Sequence, residues 1–254
     1  MPELPEVETL KRQLQEVIIG QQVRAVKVFD PKLSVAERFP KGKVLQIGRR
    51  GKILEFIFED GQRVWLSLRM TGRLLWGNEV SEHRRLTLVF SEGNLHLIDP
   101  RRFAALSFPQ KELAPLGVDP LKGAPPSFFE GLRRYCRPIK SFLMDQRFVA
   151  GIGNIYASEI LYAAQIHPLR PLSRLSQEEW DQIMMSAREI LTEAIRYRGT
   201  TISDWRDLYG RPGEYQKRLK VYGKEGEPCP RCGTSIRRIV VAGRGTYFCP
   251  RCQN

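Results

Sequence analysis

Cys229-Pro230-Arg231-Cys232 and Cys249-Pro250-Arg251-Cys252, separated by sixteen residues, lie at the end of the chain and govern how that end folds. C-x2-C pairs at this distance have the spacing of a structural zinc site. Each pair makes a tight turn that points two thiolates at one centre, and two such turns complete a tetrahedron. Between them, residues 235–241 and 246–248 read as strands joined through Ala242-Gly243-Arg244-Gly245. A β-hairpin zinc ribbon of this size buries too little core to fold unaided. The metal therefore supplies most of its folding free energy, roughly 10–16 kcal/mol apparent in peptide systems. One Zn2+ on Cys229, Cys232, Cys249 and Cys252 has no open coordination position and is structural. A pair of disulfides is the rival assignment, which the reducing interior of a cell disfavours. Arg244, between two glycines, stands where a side chain can enter a groove or approach a phosphate. The fifth cysteine, Cys136, reads as a packed thiol.

Upstream of the ribbon the period is helical. Ser176-Gln177-Glu178-Glu179 is a capping box. Trp180, Ile183, Met184, Ala187, Ile190, Leu191, Ala194 and Ile195 follow on one face as core, and Gly199 closes that helix. Residues 115–127, with four prolines and two glycines, read as a linker. Before it come short runs rich in β-branched and aromatic residues, at 23–29, 43–47, 53–58, 63–68, 86–90 and 95–98, several of them separated by Gly, Asp, Asn and Ser. They predict a β-sandwich. A helix with Val7, Leu10, Leu14, Val17 and Ile18 on one face opens it, and Gly20 stops that helix. The fold class is α+β, divided as a β-sandwich segment 1–114, the linker 115–127, a helical segment 128–220 and the ribbon 221–254.

At about 150 residues per domain, 254 residues suggest two domains before the ribbon is considered. A hydrophobic content of 42% with 27% charged residues excludes disorder throughout. The absence of an apolar run of about 18 residues excludes a membrane helix. Acids follow Met1 where a secretory signal carries basic and then apolar residues, which predicts a cytoplasmic protein. Forty-one Lys and Arg against 28 acids leave a net charge of +13, which calls for an anionic partner. Nucleic acid fits better than a membrane surface, because no periodic helix sets a basic face against a Trp/Phe face.

Pro2-Glu3-Leu4-Pro5-Glu6 obeys the ordinary rules for a helix start. It also carries chemistry. With Met1 removed, Pro2 becomes a secondary amine in the α-amino range of about 7.7–8.0. Such an amine can condense with a sugar C1′ to an iminium while Glu3 moves protons. Further on, Gly151-Ile152-Gly153-Asn154-Ile155-Tyr156-Ala157-Ser158-Glu159 joins two apolar segments through paired glycines. Asn154 is the expected cap there, and the helix N–H groups can face an anion.

These stretches occur in one order with Asp99-Pro100-Arg101-Arg102-Phe103, Leu143-Met144-Asp145-Gln146 and the ribbon. In that order the chain resembles the bacterial formamidopyrimidine-DNA glycosylase family over essentially its whole length. Leu4 is similar to this branch and not to its sister, endonuclease VIII, which typically carries Gly there. The resemblance implies a helix–two-turns–helix arrangement in the helical segment. It makes Pro2 the Schiff-base nucleophile and Glu3 its acid/base partner. Lys52 matches the lysine implicated in elimination, and Arg244 the phosphate-binding arginine assigned to the last elimination. His83, Lys140 and Asn154 match phosphate contacts. Met70, Arg101 and Phe103 resemble the trio that fills the gap left by an extruded base, where a wedge offsets unstacking of a few kcal/mol. Residues 200–216 correspond to the loop over the damaged base. Departures stand at Ser67-Leu68-Arg69-Met70, where the family usually has His-Leu-Gly-Met, and at Ala104, where Gly is usual. At Cys136 a phosphate-binding lysine is common, which leaves Arg137 to substitute.

The implied activity is that of a bifunctional glycosylase and abasic-site lyase of base excision repair. It would act as a monomer on oxidised purines in damaged double-stranded DNA at the bacterial nucleoid, with one structural zinc as its only cofactor. Two rivals are endonuclease VIII-like removal of oxidised pyrimidines and a non-catalytic zinc-ribbon DNA-binding protein. The second has no need of Pro-Glu at its terminus.

Overall fold

The computed structural model describes residues 1–78, 81–109, 116–125, 127–132 and 134–254. The chain begins with α1 (Leu4–Ile18). Glu6 fixes its start by accepting the Glu3 N–H at 2.7 Å, and Pro5 falls in the first turn, where a missing N–H costs nothing. Val7, Leu10, Leu14 and Ile18 are at most 1% exposed, and burial of each contributes about 1.5–3 kcal/mol.

The next strands are β1 (Ala25–Val28), β2 (Val44–Arg50), β3 (Ile53–Phe58), β4 (Arg63–Ser67), β5 (Arg73–Trp76), β6 (Arg84–Val89), β7 (Asn94–Ile98) and β8 (Ala105–Ser107). They form two four-stranded sheets, β1-β6-β7-β5 and β2-β3-β4-β8, in which every pairing is antiparallel. The six expected runs are all present, and β5 and β8 are additional. Leu54, Phe56, Leu66, Leu86, Leu88, Leu95 and Leu97 share one core with the apolar face of α1. Phe39 closes it with its ring edge-on to Phe56 and Phe58.

Residues 1–114 and 195–216 make one compact unit, and residues 115–194 and 217–254 make a second. Of the expected linker, Pro115 and Pro126 lie outside the described residues, as does the preceding stretch 110–114. Gly117 and Val118 are not free chain. Their N–H groups donate to Gln146 O and Phe148 O, both at 2.9 Å. A Cβ at Gly117 would lie 2.0 Å from the Phe148 carbonyl carbon, so only glycine permits this approach.

The second unit contains α2 (Ser127–Glu130), α3 (Ile139–Leu143), α4 (Asn154–Ala163) and most of α5 (Gln177–Arg196). Two turns over 144–153 join α3 to α4. Gln146 braces them, accepting the Gly151 N–H at 2.7 Å and donating to Ile152 O at 2.9 Å. The capping box of α5 is formed as read, with Glu179 N donating to Ser176 Oγ and Ser176 N to Glu179 Oε2. Phe129 stacks on Trp180 and Phe142 on Phe148 to build the core.

The ribbon hairpin pairs β9 (Arg237–Val241) with β10 (Arg244–Phe248). Its turn is the two residues Ala242 and Gly243, at φ +49° and +72°, shorter than the four-residue connection expected. A two-residue turn of this hand matches strand twist. No helix among the described residues is long and apolar enough to cross a membrane.

Candidate active site and nucleic-acid interface

Pro2 and Glu3 are both buried where α1 begins, Glu3 being 2% exposed. The Glu6 carboxylate, itself 2% exposed, accepts N–H groups from Glu3 and from Thr200, each at 2.7 Å. Gly199 makes this possible: φ is +77°, and a Cβ there would meet Glu6 Oε1 at 2.4 Å. The start of α1 and the 199–200 backbone are thus tied by one acid. The rest of the 200–216 segment is tied by Asp207, fully buried, which accepts from Gln13 Nε2, Tyr209 N and Arg211 N.

Lys52 lies on the turn between β2 and β3, beside Gly51 at φ +57°. Glu8 sets that turn through Arg49, whose Nε donates to Glu8 at 2.8 Å and whose Nη1 donates to Gly51 O at 3.0 Å. Burial pushes the Glu8 carboxyl up, but the hydrogen bond from Arg49 and the charge of Lys11 outweigh it, and the group sits below the usual carboxylate range.

Asp99, fully buried, gathers the wedge candidates. Its carboxylate accepts the Thr71 hydroxyl and the N–H groups of Phe103 and Ala104, the latter two at 2.7 Å. One acid thereby fixes the turn bearing Met70 and the loop bearing Arg101 and Phe103. Met70 is 45% and Phe103 44% exposed, and the Arg101 guanidinium lies 4.7 Å from the Phe103 ring centroid. His83 joins the group through its backbone, accepting the Asp99 N–H at 3.0 Å. Its half-exposed ring lies 3.3 Å from Glu82 Oε1.

In the second unit Lys140 and Asn154 meet the hairpin just past Arg244. Lys140 is fully buried, and its ammonium donates to Asn154 Oδ1 at 2.6 Å, Thr246 Oγ1 at 2.7 Å and Gly245 O at 3.3 Å. Asn154 Nδ2 also donates to Gly245 O, at 3.1 Å. These bonds clamp the hairpin one residue beyond the exposed Arg244.

Three expectations need correction. Asn154 does not cap α4: Gly153 holds the cap position, and the amide is committed to Lys140 and Gly245. Cys136 is not packed but exposed, accepting the Ser173 hydroxyl at 3.7 Å. Arg137 is no free substitute for a phosphate-binding lysine, because Asp145 and the Ser141 carbonyl take its guanidinium at 2.9 and 2.7 Å. Asp207 and Thr246 stand outside every motif quoted from the sequence, and Glu6 and Asp99 stand inside two of them with no role of their own. Glu6 carries the local signal of a helix start and the Asp-Pro pair at Asp99 that of a turn.

The sulfurs of Cys229, Cys232, Cys249 and Cys252 lie within 4.8 Å of one another. The Cys229–Cys252 and Cys232–Cys249 separations are 3.9 and 3.5 Å. A Zn–S distance of about 2.3 Å implies tetrahedral edges of about 3.8 Å, so the four thiolates fit one zinc. Tyr162, Val221 and Ile236 pack around them.

Three family models match: Formamidopyrimidine-DNA glycosylase N-terminal domain over residues 1–106, its H2TH domain over 116–205, and a zinc finger found in FPG and IleRS over 226–254. A formamidopyrimidine-DNA glycosylase of Thermus thermophilus is 43% identical, covering 100% of this chain and 98% of that protein. One of Thermomicrobium roseum is 40% identical, covering 100% and 99%. Among solved structures, the MutM (Fpg) protein from Thermus thermophilus superposes with a TM-score of 0.89 at 42% identity, covering 99% and 98% of the two chains. A complex of Lactococcus lactis Fpg with abasic-site DNA gives 0.90 at 36% identity, covering 99% of each. With the fold, the cysteine ribbon and the full-length identity in agreement, this chain belongs to the formamidopyrimidine-DNA glycosylase family.

Proposed function

We propose that this chain is a DNA glycosylase and abasic-site lyase that removes 8-oxoguanine and formamidopyrimidines from duplex DNA. The observation that carries the proposal is Pro2 directly before the buried Glu3, in a chain 43% identical throughout to a protein named formamidopyrimidine-DNA glycosylase. Segments 1–114, 128–220 and 221–254 serve as catalytic, helical DNA-binding and ribbon parts.

Once Met1 is cleaved, the Pro2 amine attacks C1′, and the glycosidic bond breaks with its electron pair leaving on the base. Glu3 carries the protons: one leaves the amine, and one is delivered to open the sugar ring and give the iminium. That cation acidifies the C2′ proton. Loss of the proton breaks the C3′–O bond, a second elimination breaks the C5′–O bond, and phosphate ends remain. Lys52 and Arg244 assist the eliminations. His83 and Asn154 contact phosphates, while Lys140, expected at such a contact but fully buried, positions Asn154 and the hairpin. Met70, Arg101 and Phe103 occupy the vacated stack. The zinc, held by the four cysteines, supplies structure and no chemistry. The protein works as a monomer in the cytoplasm, and its +13 charge makes affinity fall steeply with salt.

The test is borohydride trapping with protein whose first residue is verified as proline by mass. An adduct is expected with an 8-oxoguanine·cytosine duplex and is expected to vanish in Pro2→Gly. Absence of any adduct refutes the proposal, and faster reaction with thymine glycol turns it toward oxidised pyrimidines.

A further inference from the structure

Five non-glycine residues among those described have positive φ, and three of them are arginines: Arg69, Arg102 and Arg198. That backbone is unfavourable for any side chain with a Cβ. Arg102 is held there by Asp30, and Arg198 faces Asp207 and Glu214 at 3.8 and 3.7 Å. Arg69, at φ +53°, is exposed and has neither hydrogen bond nor ion pair among the described residues.

The turn beneath it is pinned on both sides. Gly72 N donates to Leu68 O at 3.0 Å, and a Cβ at Gly72 would come within 2.5 Å of that oxygen. Leu68 is 1% exposed, and the Thr71 hydroxyl is bound to Asp99. Arg69 and Met70 are therefore the outward pair of a rigid turn. A strained cation without a partner among the described residues, fixed beside an exposed apolar side chain, has the character of a binding feature.

We propose that Arg69 contacts a phosphate of the duplex backbone beside the point where Met70 enters the base stack. The inference rests on the DNA reading above and adds a contact to that interface. A phosphate oxygen is a strong acceptor for the guanidinium fork, and the interaction repays backbone strain only in the complex.

The experiment compares wild type, Arg69→Gly and Arg69→Lys. It measures the Tm of the free proteins and affinity for a duplex carrying a non-cleavable abasic analogue, from about 50 to 200 mM salt. Arg69→Gly should have a Tm at or above wild type yet bind more weakly. Losing one phosphate contact lowers the salt slope by about 0.9, so the affinity loss at 50 mM should be about 3.5-fold larger than at 200 mM. Arg69→Lys should keep most of the wild-type slope. Unchanged affinity in Arg69→Gly overturns the inference, as does a loss with unchanged slope. Altered preference for the base opposite, at unchanged slope, overturns it in favour of base-edge contact. Failure of wild type to bind the duplex overturns the wider DNA reading first.

Discussion

Replacing Glu159 should loosen the entry to the ribbon and leave the sandwich intact. Glu159 lies on α4 and is 2% exposed. Its Oε2 accepts Lys220 N at 2.8 Å, and its Oε1 accepts Val221 N at 3.0 Å and Tyr222 N at 2.8 Å. Val221 is fully buried and packs in the cysteine cluster, so this carboxylate seats the segment that leads to the metal. Glu159→Ala orphans one fully buried N–H, at about 1–3 kcal/mol, and two partly buried ones at about 0.5–1.5 kcal/mol each. Relief from carboxylate burial, which pushes the Glu159 pKa up, offsets part of this. A net loss of about 3 kcal/mol remains, or about 6–12 °C in Tm for a chain of this size. Glu159→Gln keeps one acceptor and should lose about half as much. Urea unfolding gives the free energy, and hydrogen exchange locates it: amides 220–222 should lose protection while those of β6 and β7 keep theirs. A loss below about 1 kcal/mol in Glu159→Ala, or protection lost equally in the sandwich, refutes the reasoning.

Two further outcomes follow from charge and metal. The hydrogen bond from Arg102 brings the Asp30 carboxyl down to about 2. Its contribution is therefore complete above the unfolded value near 4 and is lost as pH falls toward 2. Asp30→Asn should melt below wild type at pH 7, and the two Tm values should converge by about pH 2; a gap that persists there refutes the pairing. Elemental analysis should find one zinc per chain, and a strong chelator should strip protection from β9 and β10 while sparing β2 and β3. Retained protection in β9 and β10 after verified zinc loss would show that the hairpin holds without metal.

Local rules made α1, the α5 cap and stripe, six strands and the zinc ribbon legible, because periodicity, capping and C-x2-C spacing are written within a few residues. β5 and β8 escaped because Arg73-Leu74-Leu75-Trp76 and Ala105-Leu106-Ser107 are short and contain no β-branched residue. Asn154 met the local requirements of a cap, yet its partner is Gly245, 91 positions along the chain. Lys140 is expected from the resemblance as a phosphate contact, and oxygens of Asn154, Gly245 and Thr246 draw its ammonium inside. Glu6, Asp99 and Glu159 serve by collecting backbone N–H groups, and only the assembled fold delivers most of those donors to them.

The Asp99 carboxylate joins the Met70–Thr71 turn to the Phe103–Ala104 backbone. Two protruding apolar side chains consequently ride on one rigid frame. The entropy of fixing their mutual spacing is lost when the polypeptide folds, not when it meets a helix of nucleotides. Under the proposed function, a frame of that kind would press to the same depth at every site, and discrimination would pass to how readily each base step yields.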